Sequence, residues 1–357
     1  METIHNVYFK NSSDMCELKP ESVDLLITSP PYPMIEMWDS LFSSLNSEIK
    51  ESLEELDGKR AFNLMHDELD KVWIEVTRVL KPGGIACVNI GDATRTIGKN
   101  FQLFPNHVKI TNSFLNHGFI ELPSILWRKP TNSPNKFLGS GMLPPNAYAT
   151  LEHEYILIFR KGDIKRVIVP KSEKRYNSAF FWEERNKWFS DVWEDMGGIS
   201  QKLHNKSTTP NKIRERSAAF PLELAYRLIN MFSIYGDIVL DPFWGTGTTS
   251  LAAMISTRNS IGYEFNSEFI NLFKKRIKEL KQLNTDTNNK RLNQHVKFIK
   301  NYSKKIKDIK YNSVHYKFPV ITKQEIDILL YSINNHRENQ TKFMVTYKKF
   351  KFDYAEE

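Results

Sequence analysis

The sequence predicts an α/β fold, a mostly parallel sheet with helices on both faces. Three observations predict it. The runs Val23–Thr28 (VDLLIT) and Ile85–Ile90 are apolar almost throughout, as strands covered on both faces are. Between such runs the apolar residues fall at helical intervals, as in Val72, Trp73, Val76, Val79 and Leu80. Strand and helix then alternate along the chain, which is the pattern of βαβ units.

In order, Val23–Thr28 is a strand that ends at prolines, and Asp70–Leu80 is a helix. Lys81-Pro82-Gly83-Gly84 stops that helix and turns the chain. Ile85–Ile90, Ile120–Trp127 and Tyr155–Phe159 are further strands, and residues 129–150, rich in Pro, Asn and Gly, form a long loop. Residues 163–216 are polar and aromatic with weak periodicity and read as an insertion. Pro221–Ile234 is a helix, Asp237–Leu240 a strand, Ser250–Ile255 a helix and Asn259–Tyr263 a strand. Ile326–Ile333 (IDILLYSI) is expected to pack as a helix. The chain divides into a first half (1–162), the insertion (163–216), a second half (217–280) and a C-terminal segment (281–357).

The net charge of +8 is localised. Residues 281–357 hold 16 Lys+Arg against 8 Asp+Glu, so the rest of the chain is balanced. A basic tail suits a polyanion, through counterion release, or a solvated end. No apolar run reaches membrane-spanning length and no signal-peptide pattern opens the chain. The two cysteines, Cys16 and Cys87, make no metal cluster. A reducing, cytoplasmic setting is expected, with no metal site.

The strongest local signal is Asp241-Pro242-Phe243-Trp244-Gly245-Thr246-Gly247-Thr248-Thr249, directly after a strand. A strand, a glycine turn and a helix N-terminus let backbone approach a ligand closely. Alone, the turn is compatible with a dinucleotide or with no ligand. Glu264, about 20 residues on at the tip of the next strand, suits ribose hydroxyls or caps the following helix. No P-loop motif is present. In the first half, Thr28-Ser29-Pro30-Pro31-Tyr32 follows a strand. The prolines stiffen the turn, a Ser hydroxyl and a Pro carbonyl offer two acceptors to an amino group, and Tyr32 offers a stacking face. By itself this is equally a rigid turn.

Together the motifs TSPPY (28–32), LKPGG (80–84), EHEYILIFRKG (152–162), FPLELAYRLI (220–229), DPFWGTGTT (241–249) and GYEF (262–265) resemble the amino-methylating DNA methyltransferases, with the permuted motif order of the β class. The resemblance spans about residues 7–280. It implies a Rossmann-like class I fold that binds S-adenosylmethionine. Asp241, Pro242, Phe243, Gly245, Gly247 and Thr248 would lie at the cofactor, Glu264 at its ribose, Asp14 near the adenine, and Phe220 at the helix closing over the methionine end. Ser13 replaces the usual Gly before Asp14, and Arg216-Ser217 stands where relatives often have His-Pro.

Ser-Pro-Pro-Tyr is similar to the N4-cytosine enzymes; the N6-adenine enzymes more often carry Asp or Asn first. Ser29 and Pro30 would accept the amine hydrogens, Pro31 would stiffen the turn, and Tyr32 would stack the base, which must leave a DNA duplex to reach them. Asn89 would face cytosine N3 as a hydrogen-bond partner, with Asp92 as the alternative; the other reading is that both are structural. The other readings are N6-adenine methylation, an idle DNA-binding protein of this fold, and RNA as substrate. Neither cysteine follows a proline in a catalytic-looking loop, against C5 chemistry. In 163–216, Lys165, Arg166, Lys171, Lys174, Arg175, Arg185 and Lys187 interleave with Tyr176, Phe180, Phe181, Trp182 and Trp188, which suits base reading or equally a small hydrophobic subdomain; residues 132–146 are a candidate cover for the cleft. Double-stranded DNA is the expected partner. A restriction endonuclease of the same target is its functional counterpart, and a second copy of the chain is the other candidate occupant of the tail.

Overall fold

The computed structural model describes residues 1–129, 138–197, 220–304, 309–352 and 354. Among the described residues, ten strands form one sheet: β1 (Glu2–Tyr8), β2 (Val23–Thr28), β3 (Leu80–Ile90), β4 (Phe119–Arg128), β5 (His153–Lys161), β6 (Val192–Trp193), β7 (Ile238–Asp241), β8 (Asn259–Tyr263), β9 (Tyr331–Asn339) and β10 (Lys342–Lys349). Their order is β6-β4-β5-β3-β2-β7-β8-β1-β10-β9. The centre, β3-β2-β7-β8-β1, is parallel, whereas β5 runs antiparallel to β3 and to β4. The main helices are α1 (Gly58–Val79), α2 (Asn106–Asn116), α3 (Trp182–Trp188), α4 (Leu222–Phe232), α5 (Thr248–Ile255), α6 (Phe269–Ile277) and α7 (Leu280–Tyr302).

Alternation within the strands explains why they are apolar throughout. Leu26, Ala86, Val88, Leu157 and Phe159 face α1 and α2, packing with Trp73, Val76 and Phe114. Leu25, Ile27, Cys87, Ile156 and Ile158 face the other way, against Leu224, Leu228 and Ile229 of α4. In these central strands both faces are therefore core, with no solvated side to mark with polar residues; the outer strands β4 and β10 alternate buried and exposed residues.

The structure corrects three expectations. Lys81–Gly84 ends the helix, but the chain does not turn away. It stays in β3 as an irregularity, with Val23 opposite Leu80 and Leu25 opposite Ile85. Gly83 takes φ +73° there, and a Cβ on it would stand 2.4 Å from the backbone N of Arg166. Ile326–Ile333 is not a helix: Leu329 N–H is taken by Asn177 O, Leu330 N–H by Tyr316 Oη and Ile333 N–H by Asn284 Oδ1. Those outside partners replace a helical ladder, and the segment runs into β9. Residues 129–150 are not loop throughout, since Leu138–Gly139 pairs with Ala147–Tyr148 as a small hairpin; residues 130–137 lie outside the described residues. The C-terminal segment is built into the fold, because α7 packs on β9, and β10 extends the sheet beside β1.

Candidate active site

β2 and β7 are parallel neighbours, Val239 opposite Leu25 and Leu240 opposite Leu26. Their C-terminal ends therefore open on one edge of the sheet. Thr28 closes the distance: its Oγ1 donates to Asp241 Oδ1 at 2.7 Å. The Ser29–Tyr32 turn and the Asp241–Thr249 loop thus leave from a single hydrogen-bonded point.

On the β7 side, the Asp241 carboxylate is buried and accepts from Thr28 Oγ1, Thr249 Oγ1 (2.6 Å) and the Phe243 N–H (3.1 Å). Burial nevertheless pushes its pKa up from 3.8 to about 6. Its carboxylate stitches the loop together rather than standing free. Pro242 is buried behind it, and Phe243 lies edge-on to Trp73 at 5.9 Å. Trp244 tucks under the loop, Nε1 donating to Ser250 Oγ at 2.8 Å. It fits only because Gly262 and Gly247 lack side chains: a Cβ on Gly262 would meet Trp244 Cδ1 at 2.2 Å, and one on Gly247 (φ +76°) would meet Phe273 at 2.3 Å. Gly245 is different. It has φ +53°, and the nearest atom to its missing Cβ is 3.9 Å away, so it faces open space. Thr248 Oγ1 accepts from Arg276, which also donates to Thr246 O at 2.8 Å.

Glu264 joins the two strand tips. Its carboxylate accepts from Gly245 N–H (2.8 Å) and Asn266 N–H (2.9 Å), and burial raises its pKa. A carboxylate has about four acceptor positions, so two remain for ligand hydroxyls. The Asn266 bond belongs to the turn before α6, whose N-cap is Glu268 with no side-chain cap bond, so Glu264 does not cap that helix. Asp14 sits on the loop after β1, largely exposed and paired with Lys10 at 2.7 Å. Phe220 is buried in the cluster beneath α4. An open glycine, a spare pair of acceptors and a buried anion at one loop fit an adenosine bearing a cationic sulfur.

On the β2 side, the Tyr32 hydroxyl accepts from Ser29 Oγ at 3.1 Å and from Asn89 Nδ2 at 2.9 Å, and it donates to Glu154 Oε2 at 3.0 Å. Asn89 Nδ2 also donates to Glu154 at 2.6 Å. Burial first, then the Glu154 charge, pushes the Tyr32 phenol well above its ordinary pKa. Pro30 is buried and Pro31 half-buried. Asn106 Nδ2 donates to Pro33 O and Gly91 O, pinning the chain just past the turn. Asp92 is occupied by the ring and backbone N–H of His107, so it does not share the position of Asn89. Glu154 escaped the sequence reading, although EHEY lies in a motif. The signal was strand alternation, which puts Glu154 on the face of Ile156, and Asn89 on that of Cys87.

Part of the expected recognition segment lies away from this edge. Arg166 pairs with Asp237 at 2.5 Å and Asp24 at 3.2 Å, at the opposite ends of β7 and β2. Lys174 approaches Gly236 at that same end. Phe181 and Trp188 are buried in packing clusters. Charge and aromatic content did not distinguish these roles from base reading. Among the described residues, the segment returns to the cleft edge where β6 pairs with Leu126–Trp127; residues 198–216 lie outside the described residues.

A family model described as DNA methylase, of the N6/N4 type, matches residues 23–275. The type II methyltransferase M.MthZI of Methanothermobacter thermautotrophicus is 54% identical over 358 residues, covering 100% of this chain and 96% of its own. M.MjaI of Methanocaldococcus jannaschii is 53% identical over 286 residues, covering 77% and 91% respectively. Among solved structures, the Thermus thermophilus protein TTHA0409, assigned as a DNA modification methylase and complexed with S-adenosyl-L-methionine, aligns with TM-score 0.59 at 30% identity, over 77% of this chain and 94% of its own. The PvuII cytosine-N4-specific DNA methyltransferase aligns with TM-score 0.50 at 18% identity, over 76% and 86%, a likeness of fold alone.

Proposed function

Since the chain belongs to the N6/N4 DNA methylase family, we propose that it transfers a methyl group from S-adenosylmethionine to N4 of cytosine in duplex DNA. One observation carries the reading: the Thr28–Asp241 hydrogen bond, which makes the Ser29–Tyr32 turn and the glycine loop two lips of one cleft. When bound, the cofactor supplies an electrophilic methyl on a sulfonium. Glu264 and the open side of Gly245 are assigned to its adenosine, and the Asp241 charge lies beneath the loop that would hold its cation.

The protein's share of the chemistry is orientation. The lone pair of an aromatic amine is delocalised into the ring. Acceptors at Ser29 and Pro30 draw the amine hydrogens out of plane and free that pair for in-line attack. Tyr32 stacks the extruded base. Asn89 is buried, and its Oδ1 has no partner among the described residues. Such an orphan costs about 1–3 kcal/mol; cytosine N3 is itself an acceptor, so Oδ1 would be a third acceptor for the two amine hydrogens, beside Ser29 and Pro30. Ser29, where adenine enzymes more often carry an acid or amide, favours cytosine. The expected biological role is protection of DNA from a nuclease of the same target.

Expression of the chain in a host lacking DNA methylation, followed by nucleoside mass spectrometry, tests the assignment. N4-methylcytosine is expected; N6-methyladenine alone would move the specificity to adenine.

A further inference from the structure

Glu154 bonds directly to two residues of the site, Tyr32 and Asn89, yet the proposed reading leaves it unused. It lies at the start of β5, and its side chain is only 14% exposed. One oxygen accepts from Tyr32 Oη and from Asn89 Nδ2; the other accepts from the Lys129 ammonium. An ionised carboxylate only accepts, so its neighbours have no choice of polarity. Asn89 must turn its NH2 toward it, which leaves Asn89 Oδ1 as the unpartnered acceptor. Tyr32, already accepting from Ser29 and Asn89, has one proton to give and gives it to Glu154. Gly91 leaves the space that the pair occupies: a Cβ there would stand 3.1 Å from Tyr32 Cε2 and 3.3 Å from Glu154 Cγ, tighter than ordinary contact.

We propose that Glu154 is a positioning residue for methyl transfer, setting the tilt of the Tyr32 ring and the direction of the Asn89 amide before the base arrives. The proposal rests on Tyr32 being the stacking surface, and it holds for either target base. Glu154→Gln is the informative change. An amide has one acceptor and one donor where the carboxylate has two acceptors. If its oxygen stays with Lys129, its NH2 faces Asn89 and Tyr32, and both must reverse their hydrogen bonds.

The test is a double-mutant cycle on the full chain, with tritiated S-adenosylmethionine and unmethylated genomic DNA. Glu154→Gln and Tyr32→Phe are each expected to lower kcat roughly ten- to a hundredfold, the scale of a misplaced reacting group. The KM for S-adenosylmethionine should stay within about twofold, because Glu154 touches nothing on the glycine loop. The double variant should be no slower than the slower single one, since both changes cut the same bond. Losses that multiply, an unchanged kcat in Glu154→Gln, or a cofactor KM rising in step with the loss would overturn the proposal. If Glu154→Gln melts below the assay temperature, Tyr32→Phe alone decides, and wild-type kcat there counts against it. Nucleoside analysis of the same reactions separates the two claims: methylated adenine would sink the cytosine reading and leave Glu154 standing.

Discussion

Replacing Asp241 by asparagine should make the ligand-free protein more stable at pH 8, by an amount that shrinks in acid. The carboxylate is 3% exposed, and its burial outweighs three hydrogen bonds, moving the pKa from 3.8 to about 6. At about 1.36 kcal/mol per pH unit, that rise is a penalty of roughly 3 kcal/mol on the ionised form in the folded state. The penalty is absent below pH 3.8, where the group is neutral folded and unfolded, and complete above pH 6. Stability contributed by this site is therefore lost as pH rises through that window. Asparagine keeps the contacts, because a threonine hydroxyl accepts as readily as it donates: Oδ1 takes Phe243 N–H and Thr28, and Nδ2 gives to Thr249. Urea unfolding of both proteins should show the variant ahead by at most about 3 kcal/mol at pH 8 and by about half that at pH 5. Equal or lower stability of the variant at pH 8 would refute the reasoning, because the hydrogen bonds to the charge would then outweigh its burial. The same variant should bind S-adenosylmethionine more weakly, having lost a negative charge under the loop.

Gly262→Ala drives a methyl group into Trp244; overpacking of this kind costs about 1–3 kcal/mol, so the melting temperature and the cofactor affinity should both fall, and an unchanged cofactor titration would count against the cradle described. Arg291 meets Glu184 at 2.6 Å inside the protein, and Arg291→Ala leaves that buried carboxylate without its ion pair, held by the Phe181 N–H, at about 3–5 kcal/mol; a wild-type melting curve would show that α7 is held by other contacts. Tyr32→Ala and Gly245→Asp should each abolish methyl transfer, one by removing the stacking face and the other by filling the open side of the loop, as measured by tritium incorporation into DNA. Activity in both would dissolve the site as drawn.

The two loops were legible in the sequence because their constraints are local. Gly247 needs a positive φ and Pro30 and Pro31 fix a turn, whatever surrounds them. The central strands were legible because burial on both faces leaves an unbroken apolar run. β1 was not, because Thr3 and His5 look like surface residues. Both are fully buried, satisfied by Tyr347 Oη and Ser260 Oγ from strands far along the chain. The same distance hid the fate of Ile326–Ile333, whose backbone donors are claimed by residues 177, 284 and 316. Glu154 was missed for a related reason. Its partners come from three other segments, and a carboxylate in a strand carries no mark of them.

The placement of β1 sets an order of events during synthesis. It lies between β8 and β10, with Thr3 opposite Val345. A nascent chain has made both lips of the cleft once residue 249 is available, yet its earliest strand waits for a neighbour made nearly a hundred residues later. Pairings over such separations form late and leave a bare edge meanwhile. The ribosome therefore acts as a clock, and a polypeptide stalled before residue 340 would carry every motif of the enzyme on an unfinished sheet.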